Sequence, residues 1–174
     1  TGIGAGGPAT LGVAGARLEV SFEGEVDRAE RRRLLTWVRQ SAETIATYFG
    51  RYPVRTLQVE LNVNSGSRVG FGQHFRGRRV RVRVGRDTTD EQLARDWVLR
   101  HEMAHVAFPM LANRHRWMRE GLSTYLESIM LAREERISQE RVWERFVQKM
   151  PNGLPGRRDR GLDHTRSWGA LYWG

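Results

Sequence analysis

Residues 101–105 read His-Glu-Met-Ala-His, two histidines four positions apart with a glutamate between them. On an α-helix the two rings fall about 40° apart around the axis and one turn apart along it. Imidazoles so placed can hold one Zn²⁺ at roughly 2.0–2.1 Å each. Glu102 lies about 100° further round, within reach of a water beside the metal but not placed as a third ligand. A metal to acidify water and a carboxylate to take its proton are what a hydrolase needs. The pentapeptide alone would arise by chance in on the order of one chain in a few hundred, so its surroundings decide. Left uncoordinated, the glutamate would be a poorly solvated charge without return.

The histidines need a helix to hold them, and the sequence offers one. Thr88 to Gln92 supplies cap residues, with Thr89 and Gln92 at capping-box spacing and acids near the positive end of the dipole. Leu93, Trp97, Val98, His101, Ala104, His105 and Phe108 then recur at three and four, and Pro109 closes the run. A third ligand is also required. The continuation H-E-x-x-H-x-x-G-x-x-H is excluded, because Phe108 and Leu111 stand at its glycine and last histidine. Further on, Trp117 to Glu127 reads as a second helix with Leu122, Tyr125, Leu126, Ile129 and Met130 on one face. Glu120 falls in its first turns, where a carboxylate could close a His₂Glu set with a fourth position open; a helix N-terminus also favours such an acid. His115 is a rival, set among arginines that disfavour a cation.

Together, His101–His105 and Trp117-Met118-Arg119-Glu120-Gly121-Leu122-Ser123 resemble the H-E-x-x-H … W-x-x-E-G-[FL]-[AST] signature of the gluzincin metallopeptidases. The nearest flavour is their aminopeptidase-N-like and glycyl-aminopeptidase-like branch. The resemblance implies a zinc-dependent peptidase acting on peptide or protein substrates, with His101, His105 and Glu120 as zinc ligands and Glu102 as general base. Gly70-Phe71-Gly72-Gln73-His74 takes the place of the family's Gly-x-Met-Glu-Asn segment, which makes Gly70, Phe71, Gly72 and Gln73 candidate substrate-binding residues. Neutral Gln73 replaces the glutamate that binds a substrate amine there, a departure from strict aminopeptidase chemistry. Tyr172-Trp173-Gly174 resembles the start of the Tyr-x-x-Gly segment whose tyrosine stabilises an oxyanion, so Tyr172 is the corresponding catalytic candidate. The family also suggests an exported protein. The alternative is a peptidase-like module that holds zinc and turns nothing over.

The rest of the chain frames these residues. With 174 residues it can bury a sizeable core. It has no cysteine, so a metal must use His and carboxylate. No apolar run reaches the length of a transmembrane helix. The net charge is +9, but it is spread along the chain as arginine, with Lys149 the only lysine, and no nucleic-acid motif accompanies it. Specific nucleic-acid binding is not expected; the charge favours acidic substrates or an anionic surface through long-range steering.

Residues 1–16 read as a flexible leader or a loosely held first strand, and 17–174 as the gluzincin-like catalytic domain, truncated at its C-terminus. Arg17–Phe22 alternates as a strand. Asp27–Phe49 reads as a helix closed by Gly50, and Leu57, Val59, Leu61 and Val63 mark a second strand. Asn64–Gly72 reads as a glycine-containing loop. Arg79–Val84 alternates strictly, with arginines at a spacing that protects a sheet edge; it or Gly70–His74 is the candidate for the edge strand that holds extended peptide in the family. Ser138–Met150 reads as a helix burying Val142, Trp143, Phe146 and Val147, Pro151–Arg166 as a mobile loop, and Ser167–Gly174 as the start of a helix. The expected fold is α+β and zincin-like: a small mixed or antiparallel sheet packed on the His101–His105 helix, followed by a mainly helical part.

Overall fold

The computed structural model describes residues 7–76 and 78–174. The contacts gather into two compact units that divide after Ala107. The first is built on five strands, β1 (Ala9–Val13), β2 (Ala16–Glu23), β3 (Thr56–Asn64), β4 (Val69–Phe75) and β5 (Arg79–Gly85), in the order β1-β2-β3-β5-β4. The outer pairs β1–β2 and β5–β4 are antiparallel, and the inner pairs β2–β3 and β3–β5 are parallel. The sheet is therefore mixed, and the fold class is the α+β one expected.

Residues 1–6 of the expected leader lie outside the described residues. Ala9–Val13 forms a strand, one of the two readings offered for this stretch: Leu11 and Val13 are buried against the sheet, and a two-residue turn returns the chain. That turn places Ala14 and Gly15 at φ 44° and 80°, the left-handed conformation that tight hairpins require.

The inner strands β2, β3 and β5 turn apolar side chains to one face of the sheet. Leu18 and Val20 pair with Leu57 and Val59, and Val59, Leu61 and Val63 pair in turn with Val80, Val82 and Val84. These side chains are buried, with alternation of period two setting the face. Helix α1 (Arg28–Phe49) adds Leu34, Trp37, Val38, Ala42 and Ile45 to the same core. Asp27 caps it by accepting the Glu30 amide at 2.8 Å, and Gly50 ends it at φ 74°.

Three expectations change here. Strand β5 is not an edge: it lies between β3 and β4, and its outward Arg79 and Arg81 pair with Glu60. The edge on that side is β4, which contains the other edge-strand candidate, Gly70–His74; two glycines and a bulge between Val69 and Gly72 disguise its alternation, so its first half reads as loop in the sequence. The long helix expected from Asp90 to Phe108 is broken into α2 (Asp90–Ala94) and α3 (Val98–Ala104), with a 3₁₀ turn over His105–Ala107. The Thr89–Gln92 capping box does start α2. The break comes from Asp96, whose carboxylate accepts the amides of Val98 and Leu99 at 3.0 Å each and so begins a new helix.

The second unit is helical: α4 (Arg116–Arg133), α5 (Gln139–Lys149) and α6 (Trp168–Trp173), joined by 3₁₀ turns at Asn113–His115, Met150–Gly153 and Leu162–His164. On α4, Leu126 and Met130 are buried as expected, but Leu122 and Tyr125 are exposed. On α5, Val142 and Phe146 are buried, whereas Trp143 and Val147, expected inside, are exposed. The buried stripe there is one residue wide, so positions roughly 100° further round face water. The expected mobile loop over Pro151–Arg166 holds two of the turns and is tied down through Asp163. Among the described residues no helix is long and apolar enough to cross a membrane.

Candidate metal centre

Helix α3 is fixed before it presents anything. Leu99 and Met103 face the core and are fully buried. Between them Arg100, also fully buried, donates from Nη1 to the Asp96 carbonyl at 2.6 Å and from Nε to Thr44 Oγ1 of α1 at 3.3 Å. A buried guanidinium so held sets the rotation of α3 and hence the direction of its neighbour His101.

His101 and His105 keep the one-turn relation predicted for them, although the regular helix ends at Ala104. His105 retains right-handed helical angles (φ −55°, ψ −27°) and its amide donates to the His101 carbonyl. The two rings lie 4.8 Å apart at 87° to one another. Trp97 stands edge-on to His101, 5.9 Å away. Glu102, which lies between the histidines in the chain, is buried, and β4 approaches it closely. An added Cβ on Gly72 would lie 2.7 Å from both Glu102 Cγ and Val98 Cγ1.

The register of β4 sorts the candidate substrate residues. Gly72 pairs with Val82 and His74 with Val80, so both fall on the face that carries the buried valines. The His74 ring lies 5.6 Å from the His105 ring. Gln73 pairs with Arg81, on the opposite, polar face, and Phe71 is exposed. His74 is thus the residue that the sequence reading passed over. It stands in the quoted segment, but the bulge between Val69 and Gly72 breaks the alternation that would show which face it occupies.

In the second unit Glu120 is buried on α4, where Arg116 Nε donates to its Oε1 at 3.2 Å. His115 does not compete as a ligand. Arg114 Nε donates to its Nε2 at 3.0 Å, which leaves the proton on Nδ1, and Nδ1 donates to Asp163 at 2.9 Å. Trp117 Nε1 donates to the same Asp163 oxygen at 2.7 Å. These two donors, the indole first, hold the Asp163 carboxyl below the ordinary carboxylate range. Tyr172 sits half-buried on α6 with its ring 5.7 Å from Trp168.

His101, His105 and Glu120 form a candidate metal-binding group. Each offers one ligand atom, and the three atoms lie within 4.8 Å of one another. They are 1%, 5% and 7% exposed. Two imidazoles and a carboxylate withdrawn from water fit zinc's preference for N and O donors with a fourth position left open.

No protein-family model and no curated protein sequence matches the chain. Solved structures do share its fold. An aminopeptidase N family protein from Idiomarina loihiensis superposes with a TM-score of 0.55 at 13% identity, over 84% of this chain and 28% of that one. An M1 zinc metallopeptidase from Deinococcus radiodurans gives 0.54 at 14% identity over 97% of this chain, and a mutant of it bound to a Tyr-Ser-Ala substrate gives 0.57 at 14% over 95%. The chain spans 37% of each of those two proteins, about a third of their length. In fold, it resembles part of an M1 zinc metallopeptidase.

Proposed function

We infer that this chain is the zinc-holding part of a metallopeptidase that hydrolyses peptide bonds. The observation that carries the reading is the buried set His101, His105 and Glu120, with ligand atoms within 4.8 Å, beside Glu102 on α3 in a fold shared with zinc metallopeptidases. Bound there, zinc would supply the Lewis acid that polarises a peptide carbonyl and brings the pKa of water towards roughly 7.

The chain's own residues do the rest. Glu102 accepts the proton as water adds to the carbonyl carbon, then returns it to the leaving amine nitrogen. Burial keeps the carboxylate from bulk water, and Gly72 leaves it the room it needs. The backbone of Gly70–Gln73 lies on the outer strand of the sheet and holds extended peptide by strand addition. Tyr172 supplies a hydroxyl to the developing oxyanion.

The test is metal content and turnover measured together. The protein is expected to bind one zinc per chain and to cleave members of a mixed peptide library. Glu102→Gln should keep the zinc and lose roughly 10²–10⁴-fold in kcat. A zinc-loaded protein that cleaves no peptide would leave the alternative, a zinc-binding scaffold.

A further inference from the structure

Beside the proposed centre lies a cavity of about 510 Å³, bounded by Arg68 and Val69 at the start of β4, Glu91 on α2, and Asp96, Trp97 and Val98 at the start of α3. That volume falls in the roughly 300–1,000 Å³ range of sites that take small ligands. It adjoins the chemistry through Val98. An added Cβ on Gly72 would meet Val98 and Glu102 alike, so the cavity begins one turn of α3 before the proposed base.

Its charges are mostly committed. The Asp96 carboxylate caps Val98 and Leu99. Glu91 pairs with Arg95 at 3.1 Å. Arg68 is exposed, and among the described residues its side chain makes no ion pair or hydrogen bond. Trp97 is 42% exposed and offers an indole surface beside His101. The cavity therefore combines an apolar wall with one uncommitted guanidinium, a group suited to a carboxylate.

We propose that this cavity is a specificity subsite in which Arg68 selects a carboxylate on a peptide laid along β4. The proposal rests on the peptidase reading. One helical turn is about 5.4 Å and an extended residue about 3.3 Å, so the selected group sits one or two residues from the bond beside Glu102. The carboxylate comes either from an acidic side chain or from the C-terminus of a short peptide. The protein's charge of +9 draws such substrates in.

The experiment uses alanine-based hexapeptides with one Phe, carrying Glu or Gln at each remaining position, each made as the C-terminal acid and the amide. Binding to the zinc-loaded Glu102→Gln protein is measured by calorimetry, and cleavage by the unmodified protein in parallel. Acidic peptides are expected to bind and to be cleaved about tenfold or more better than their neutral partners. Arg68→Gln should remove that ratio while leaving neutral peptides unchanged. A preference that follows Glu position identifies a side chain, and one that follows acid against amide identifies the terminus. Equal handling of acidic and neutral peptides, an undiminished ratio in Arg68→Gln, or no binding of acidic peptides at millimolar concentration overturns the subsite. Selective binding without any cleavage overturns the peptidase reading instead.

Discussion

Gly72 and Glu102 are in contact so close that the strand residue has no room for a side chain: a Cβ would stand 2.7 Å from Glu102 Cγ and 3.0 Å from its Oε1. Its backbone is not in the left-handed region, so space, not conformation, requires the glycine. Gly72→Ala should therefore displace the Glu102 carboxylate or push β4 away from α3. Overpacking of this kind costs about 1–3 kcal/mol, and a misplaced base can cost on the order of 100-fold in rate. Urea unfolding, zinc content and kcat measured on one preparation check this. Zinc retained with kcat lowered is the expected outcome; an unchanged kcat would show that the contact does not set the base.

Zinc itself should be a stabilising ligand. A site occupied at one hundred times its Kd contributes about 2.7 kcal/mol, which for a chain of this size raises Tm by roughly 5–10 °C. Chelator should remove that increment from the unmodified protein. It should have little left to remove from His101→Ala or Glu120→Ala. A full chelator-dependent shift surviving in Glu120→Ala would eliminate Glu120 as a ligand.

Local chemistry made much of this legible. Gly50 ends α1 in the left-handed conformation and Thr89 with Gln92 starts α2, as their residue types demand. Arg79 to Gly85 alternates as read, because both the buried valines and the outward arginines repeat every two residues. Position within the sheet is a different matter. Arginines suit an edge, but here they meet Glu60 across an interior pair, and no local signal carries that long-range partner. The break at Asp96 was readable in principle, since an aspartate inside a periodic run is also an N-cap. His74 needed the strand register before its face could be known.

The buried ion pair of the second unit gives a stability prediction. Arg145 Nη2 lies 2.6 Å from Glu127 Oε1, and Glu127 is fully buried. Arg145→Met takes the guanidinium from a carboxylate that stays inside. The cost approaches the roughly 3–5 kcal/mol seen for broken buried pairs, reduced because Arg145 is itself partly exposed. The double variant Glu127→Leu with Arg145→Met should recover much of that loss. Denaturant midpoints of the single and double variants decide it, and a double variant no better than the single would show that Glu127 is held by other groups.

Asp163 links the turn at Leu162–His164 to the start of α4, three residues before Glu120, through Trp117 and His115. Its carboxyl lies below the ordinary value of 3.8 because the indole N–H, and then the imidazole N–H, favour the charged form. A carboxyl whose pKa is lower folded than unfolded contributes stability that is fully present above the unfolded value. That contribution disappears as the pH falls through the folded value. Asp163→Asn keeps an acceptor oxygen but cannot titrate. The unmodified protein should therefore be the more stable at pH 6, and the gap should close steadily below about pH 4. Paired urea titrations from pH 6 to pH 2, both in chelator so that metal loss is constant, measure the gap. A difference independent of pH would show that Asp163 acts there only as a hydrogen-bond acceptor, with its charge contributing nothing.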